Sequence, residues 1–227
     1  MAVLSEENAT GLNPEEAYNN IHDFDVDVYT AGGAICDGCY HLFNELYYVW
    51  ASPKAVEFNS FKVKMNDVYE LVLNKGDIVL YNAVCSYNSM ARANGLDTIE
   101  DSDGNDFENS YLSGDHTQML LEMGAADLVA ERNGIVGMNI LQVEDIILPA
   151  FNKKMKRAVE LIDSLPDQIA LFDTSDNLKN AFKEEVTAMK ISVTVLIEEV
   201  NNAINEAIET ETNNLRLASN PTNGQNA

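Results

Sequence analysis

Basic residues are scarce in this sequence. Against 37 Asp and Glu, the 227-residue chain carries only 14 Lys and Arg, a formal net charge of -23 at pH 7. A surface that acidic repels phosphate backbones and anionic headgroups, so nucleic-acid and membrane-surface binding are not expected. It also favours solubility. Proline is nearly as rare: five occur, at 14, 53, 149, 166 and 221, and the stretches 54–148 and 167–220 hold none. Proline breaks helix interiors, so its absence permits long helices. The three cysteines are Cys36, Cys39 and Cys85, and an odd, low count argues against a disulfide framework. No apolar run reaches the ~18 residues of a membrane span, and no membrane insertion is expected. The first residues, MAVLSEENATG, lack the basic and apolar stretches of a signal peptide. Synthesis in the cytoplasm is expected, with any secretion or surface display by a leaderless route.

Hydrophobic residues make up 46% of the chain, close to the globular average, so a packed core is expected. Their spacing is helical. After a flexible arm at 1–12, Asn13-Pro14-Glu15-Glu16 supplies an N-cap, a proline at the first helical position and acids at the positive end of the dipole. Apolar residues then recur at 21, 24, 28, 31, 35, 39, 42, 46 and 49, in steps of three and four that mark one buried stripe. Gly32, Gly33 and Gly38 fall within it, and each costs about 1 kcal/mol against Ala, so they mark a close helix approach or a break. Ser52-Pro53 restarts a helix with the stripe Phe58, Phe61, Met65, Val68, Val72, Val79, Ala83, Ser86 and Met90, and Gly95 is a plausible stop. So short a connection makes the two helices antiparallel neighbours.

Residues 95–116 break the period and read as an acidic linker. A shorter helix over 117–132 precedes the next stripe, Val136, Ile140, Val143, Ile147, Phe151, Met155, Ala158, Ile162 and Leu165, which Pro149 should bend. A turn is expected after Pro166. The last stripe is Leu178, Phe182, Val186, Met189, Val193, Leu196, Val200, Ala203 and Ala207, ending near 212 before a disordered tail at 213–227. The fold expected is all-α: two tandem long antiparallel helical hairpins, 13–94 and 117–212, packed as a four-helix bundle. A weak internal repeat sets the Trp50-Ala51-Ser52-Pro53 turn against Phe172-Asp173-Thr174-Ser175.

The first hairpin resembles the WXG family, the small helical hairpins secreted by type VII systems. The resemblance spans about 13–94 and rests on the turn: Trp50, the only tryptophan, is followed by Ala51-Ser52, then Ala55, then Phe58 eight positions on. The family's glycine is replaced by Ser52, and the second turn, at Phe172, matches in outline only. Tyr111-Leu-Ser-Gly-Asp115 in the linker is similar to the family's export signal, Tyr-x-x-x-Asp/Glu. The resemblance implies a non-enzymatic secreted substrate or helical escort. Its partners would be proteins such as a secretion ATPase or a co-secreted helical protein, contacted near Trp50, Ser52, Ala55, Phe58 and Phe172. Family hairpins usually dimerise. A tandem chain would therefore be a monomer acting as a pseudo-dimer, or a homodimer. Trp50 reads equally as a core aromatic stapling a helix turn.

Other chemistry is thinly signalled. Cys36-x-x-Cys39 with His41 nearby lacks the four ligands zinc wants, and Cys39 lies on the buried stripe, so both cysteines read as small core hydrophobes. The run Glu100–Asp106 fails the calcium-loop pattern at its first and last ligand positions. There is no phosphate loop and no His-Glu-x-x-His. Glu184-Glu185 and Glu198-Glu199 read as a solvated face. No catalytic residue, cofactor or metal is expected. Two rivals to the secretion reading stand: a structural or assembly protein, such as a virion or surface component, and a bundle that binds a small molecule or metal.

Overall fold

The computed structural model describes residues 13–49, 52–99 and 143–219; at 43–45, 47–49, 52–62 and 219 it describes the backbone alone. The described chain forms α1 (Pro14–Val49), α2 (Ser52–Asn94), a π-helical turn (Val143–Ile147) that leads into α3 (Leu148–Ala170), and α4 (Asp176–Ser219). Expectations for the arm at 1–12, for Trp50, for Glu100–Asp106 and the rest of the linker to 116, for the helix at 117–132 and for the tail beyond 219 fall outside the described residues.

The helix boundaries follow from local chemistry. The Asn13 side chain accepts from the backbone amides of Glu15 and Glu16 at 3.1 and 3.5 Å, the N-cap read from the sequence. Gly95 ends α2 with a positive φ of 67°. Its amide bonds the Arg92 carbonyl, and the Leu96 amide reaches back to that of Ala91. This is the paired Schellman closure that favours glycine. Ser175 caps α4 through its hydroxyl to the Leu178 amide at 3.3 Å. At the end of α3, the Lys179 ammonium bonds the Ala170 carbonyl at 2.7 Å, a cation at the negative end of the dipole.

Three boundaries differ from expectation. Pro166 does not start a turn: α3 runs through it to Ala170. The ring tolerates helical φ, and the buried Ile169 and Phe172 carry the apolar stripe past it. Before Pro149, which lacks an amide to donate, the chain widens into the π turn where a regular helix was expected. Finally, α4 passes 212 and continues to Ser219. Nothing between 213 and 219 is Gly or Pro, so extending an anchored helix costs little.

Helix α1 packs on α2 and α3, and α4 packs on the same two. The helices thus stand as a square, with α1 diagonal to α4. Every adjacent pair is antiparallel. Tyr29 meets Asp77 between α1 and α2. Asp27 meets Gln168 while Asp37 meets Lys154 between α1 and α3. Lys64 pairs with Glu199 while Lys75 pairs with Glu185 between α2 and α4. Asn152 and Asn201 exchange two 2.8 Å bonds between α3 and α4. The two hairpins therefore lie head to tail, and the turn at 171–175 sits at the end opposite the 49–52 connection.

One continuous core joins both hairpins. The α1 stripe from Ile21 to Leu46 and its counterpart from Val143 to Leu165 are buried as expected; Val136 and Ile140 fall outside the described residues, as does the side chain of Val49. On α2 the buried arc is shifted and wider: Val68, Ser86 and Met90 are only half-buried, whereas Tyr69, Leu73, Leu80, Val84, Tyr87 and Ala91 are buried. An edge of the square meets two neighbours, and α2 turns these residues toward α1 as well as inward. Glycine makes that approach possible. A Cβ on Gly76 would lie 2.3 Å from Val28 Cγ1, and one on Gly38 would lie 2.7 Å from Met155 Cε. In α1, Gly32 and Gly38 mark close approach, and the helix runs through all three glycines without a break.

Candidate functional site

Two turns carry the motif residues. Among them, Ser52, Ala55 and Phe58 lie on the first turns of α2, where the backbone alone is described. Tyr111 and Asp115, like Trp50, lie outside the described residues. Phe172 is placed in full, and not where a partner would meet it. It is 3% exposed. Its ring stands edge-on to Phe24 of α1 at 5.5 Å and to Phe182 of α4 at 6.4 Å. The cause is the head-to-tail packing, which brings α1 over the second turn and consumes Phe172 as core. Ser86 Oγ and Thr174 Oγ1, 2.7 Å apart, tie α2 to the same turn.

Around that turn the electrostatics are unfavourable. Burial, then nearby Glu16, pushes the Asp173 carboxyl above its ordinary 3.8, with Lys179 working against them. A carboxyl raised in the folded state stabilises it fully below the unfolded pKa, and that contribution is lost as pH rises through the folded value. Asp173→Asn is therefore expected to melt higher than the parent at pH 7 and at the same temperature near pH 3, by calorimetry. The gain should be on the order of 1 °C, because solvent screens a half-exposed side chain.

The acidic pairs of α4 divide their duties. Glu184 and Glu198 are exposed, as read from the sequence. Glu185 and Glu199 instead turn to Lys75 and Lys64 of α2. They lace the hairpins together with pairs worth up to ~1 kcal/mol each.

The cysteine pair lines a cavity of about 280 Å³ between α1 and α2 within the first hairpin. Cys36, Cys39 and Tyr40 come from α1, and Val63, Met65, Asn66, Asp67 and Tyr69 from α2. Cys36, Cys39, Met65 and Tyr69 are buried, while Val63, Asn66 and Asp67 are exposed at the rim. Burial pushes both thiols up, that of Cys39 further, so they stay protonated and neutral. Burial, with Cys36, Glu70 and Tyr40 adding to it, raises the Tyr69 phenol to about 12. The Tyr69 hydroxyl is shielded from solvent and has no hydrogen-bond partner among the described residues. At the rim, Asn66 Nδ2 donates to Glu70 Oε1 at 2.9 Å, holding a second carboxylate against the rim residue Asn66. Among the described residues, no group of three or more His, Cys, Asp or Glu is disposed to hold a metal ion.

Sequence patterning singled out the two cysteines and placed Met65 on the buried stripe of α2, where Val72, Val79 and Ala83 are buried too, but it missed Tyr69, Tyr40 and the rim, taking Val68 in place of Tyr69. Gly32 was the available signal. It faces Leu73 and Tyr69, and a glycine on a buried stripe announces something bulky opposite. Comparison with protein-family models, curated proteins and solved structures finds no match to this chain. No helix among the described residues is long and apolar enough to cross a membrane.

Proposed function

We propose that this chain is a non-enzymatic substrate or helical escort of a type VII-like secretion machine, acting through protein–protein contact. The observation that supports it most is the head-to-tail packing of the two hairpins on one core. Hairpins of the WXG kind usually pair as dimers, and here one chain supplies both halves. The backbone of Ser52, Ala55 and Phe58 lies at the end of the bundle opposite Phe172, and the WXG resemblance adds Trp50, just before them in sequence, to the contact. A partner such as the secretion ATPase or a co-secreted helical protein would be met there. Association would be driven by burial of apolar area. Phe172 has no part in that contact, since the core has taken it.

The test is export. In cells carrying such a machine, the chain is expected in the culture supernatant, and deleting the machine's ATPase should reduce it at least tenfold. Trp50→Ala should reduce it as well without lowering the melting temperature much. Equal export with and without the ATPase defeats the proposal. Light scattering across a concentration series separates the rival: a closed bundle stays monomeric, whereas stepwise growth in mass favours an assembly protein.

A further inference from the structure

The α1–α2 cavity has the attributes of a small-molecule site, and its chemistry narrows the ligand. Its volume is about 280 Å³. An apolar cavity of ~150 Å³ accommodates benzene, so this one suits a fused two-ring body. Two thiols, the Met65 thioether and two phenol rings line it, and sulfur and aromatic groups contact an aromatic ring favourably. Its buried residues carry no charge at neutral pH. The Tyr69 hydroxyl, 97% of whose residue is out of solvent, has no partner among the described residues. An unsatisfied buried hydroxyl is costly, and a ligand N–H or oxygen would satisfy it. The mouth is anionic: Asp67 stands on it and Glu70 is held next to it by Asn66. Among the described residues no Lys or Arg lines the cavity, and the whole chain carries -23. Carboxylates and phosphates are repelled from such an opening.

We infer that this cavity binds a compact bicyclic aromatic amine, its rings on Met65, Cys36 and Cys39, a ring heteroatom at the Tyr69 hydroxyl and its ammonium at Asp67. This is independent of the secretion proposal, since it concerns the interior of the first hairpin and not the turn. A ligand of that size in a half-open site is expected to bind with a dissociation constant on the order of 10–100 µM.

The experiment uses the full chain with 13C-labelled methionine methyls, the Met65 resonance being assigned through Met65→Leu. Titration with tryptamine is expected to shift the Met65 methyl saturably. Indole-3-acetate, with the same rings and the opposite charge, should bind at least tenfold more weakly. Asp67→Asn should weaken tryptamine about three- to tenfold, Tyr69→Phe several-fold, and Val63→Trp at the rim should abolish the shift. Val63 and Asp67 are exposed, so these two variants are expected to keep the parent melting temperature, which keeps the test meaningful should Tyr69→Phe unfold. The proposal is overturned by the absence of a saturable Met65 shift. Equal affinity for the two indoles overturns it too, as does undiminished binding to Val63→Trp.

Discussion

Phe172→Ala is expected to destabilise the protein by about 3–5 kcal/mol, the largest loss from any single truncation at a turn. The reason lies in what the ring touches. Phe172 belongs to the α3–α4 connection, yet it packs edge-on to Phe24 in the other hairpin and to Phe182 in its own. Truncation opens a cavity where three helices and a turn converge, and the backbone there is tied down. The Thr174 amide bonds the Phe172 carbonyl, and the Thr174 hydroxyl bonds Ser86, so the site cannot collapse to fill the void. A native domain holds only ~5–15 kcal/mol in reserve. The neighbouring Leu171 is the control, being 61% exposed, and Leu171→Ala should move stability by no more than ~0.5 kcal/mol. Urea denaturation measures both. A Phe172→Ala loss below about 1 kcal/mol would mean that the hairpins are not stapled at this turn.

The second large effect is expected at Asn88. It is fully buried, and its side chain pairs both ways with one backbone unit: Oδ1 accepts from the Ile99 amide at 2.8 Å, and Nδ2 donates to the Ile99 carbonyl at 3.2 Å. The amide side chain thus stands in for a neighbouring strand and folds the chain after Gly95 back along α2. Ile99 is buried as a result, and Leu96 packs against the core. Asn88→Ala removes two hydrogen bonds and frees Ile99 to leave the core, a loss of about 2–4 kcal/mol. Asn88→Asp keeps the shape but sets a carboxylate oxygen against the Ile99 carbonyl, and it should be no better than Ala at neutral pH. Amide hydrogen exchange gives the local readout. Protection at Ile99 should vanish in either variant while α3 stays protected. Persistent protection at Ile99 in Asn88→Ala would show that the clamp contributes nothing.

Both sites were hidden in the sequence for the same reason. Phe172 is an aromatic in a turn, a position that reads as exposed until a second hairpin is laid over it. Asn88 looked like one more polar residue on a long helix, and Ile99 like an isolated apolar residue in a linker. Their contacts join parts of the chain that no periodicity connects. The cavity has the same history: Cys36 and Cys39 stood out by spacing, but only the close approach of α2 at Gly32 and Gly76 set Tyr69 and Met65 opposite them.

The sequence by itself determined the local and repetitive features. Three-and-four spacing determined the α1 and α3 faces. Asn13 with Pro14, and Gly95, determined where helices start and stop, because caps act through atoms a few residues apart. Proline scarcity allowed helices of 36, 43 and 44 residues. The tertiary structure alone decided the head-to-tail order of the hairpins and the rotation of α2. It also decided the passage of α3 through Pro166, the burial of Phe172 and the enclosure of the Cys36–Tyr69 cavity. Each depends on which face meets which neighbour. That is decided by how bulky and small residues on different helices interlock, as at Val28 and Gly76, and the spacing of residues along one helix carries no record of it.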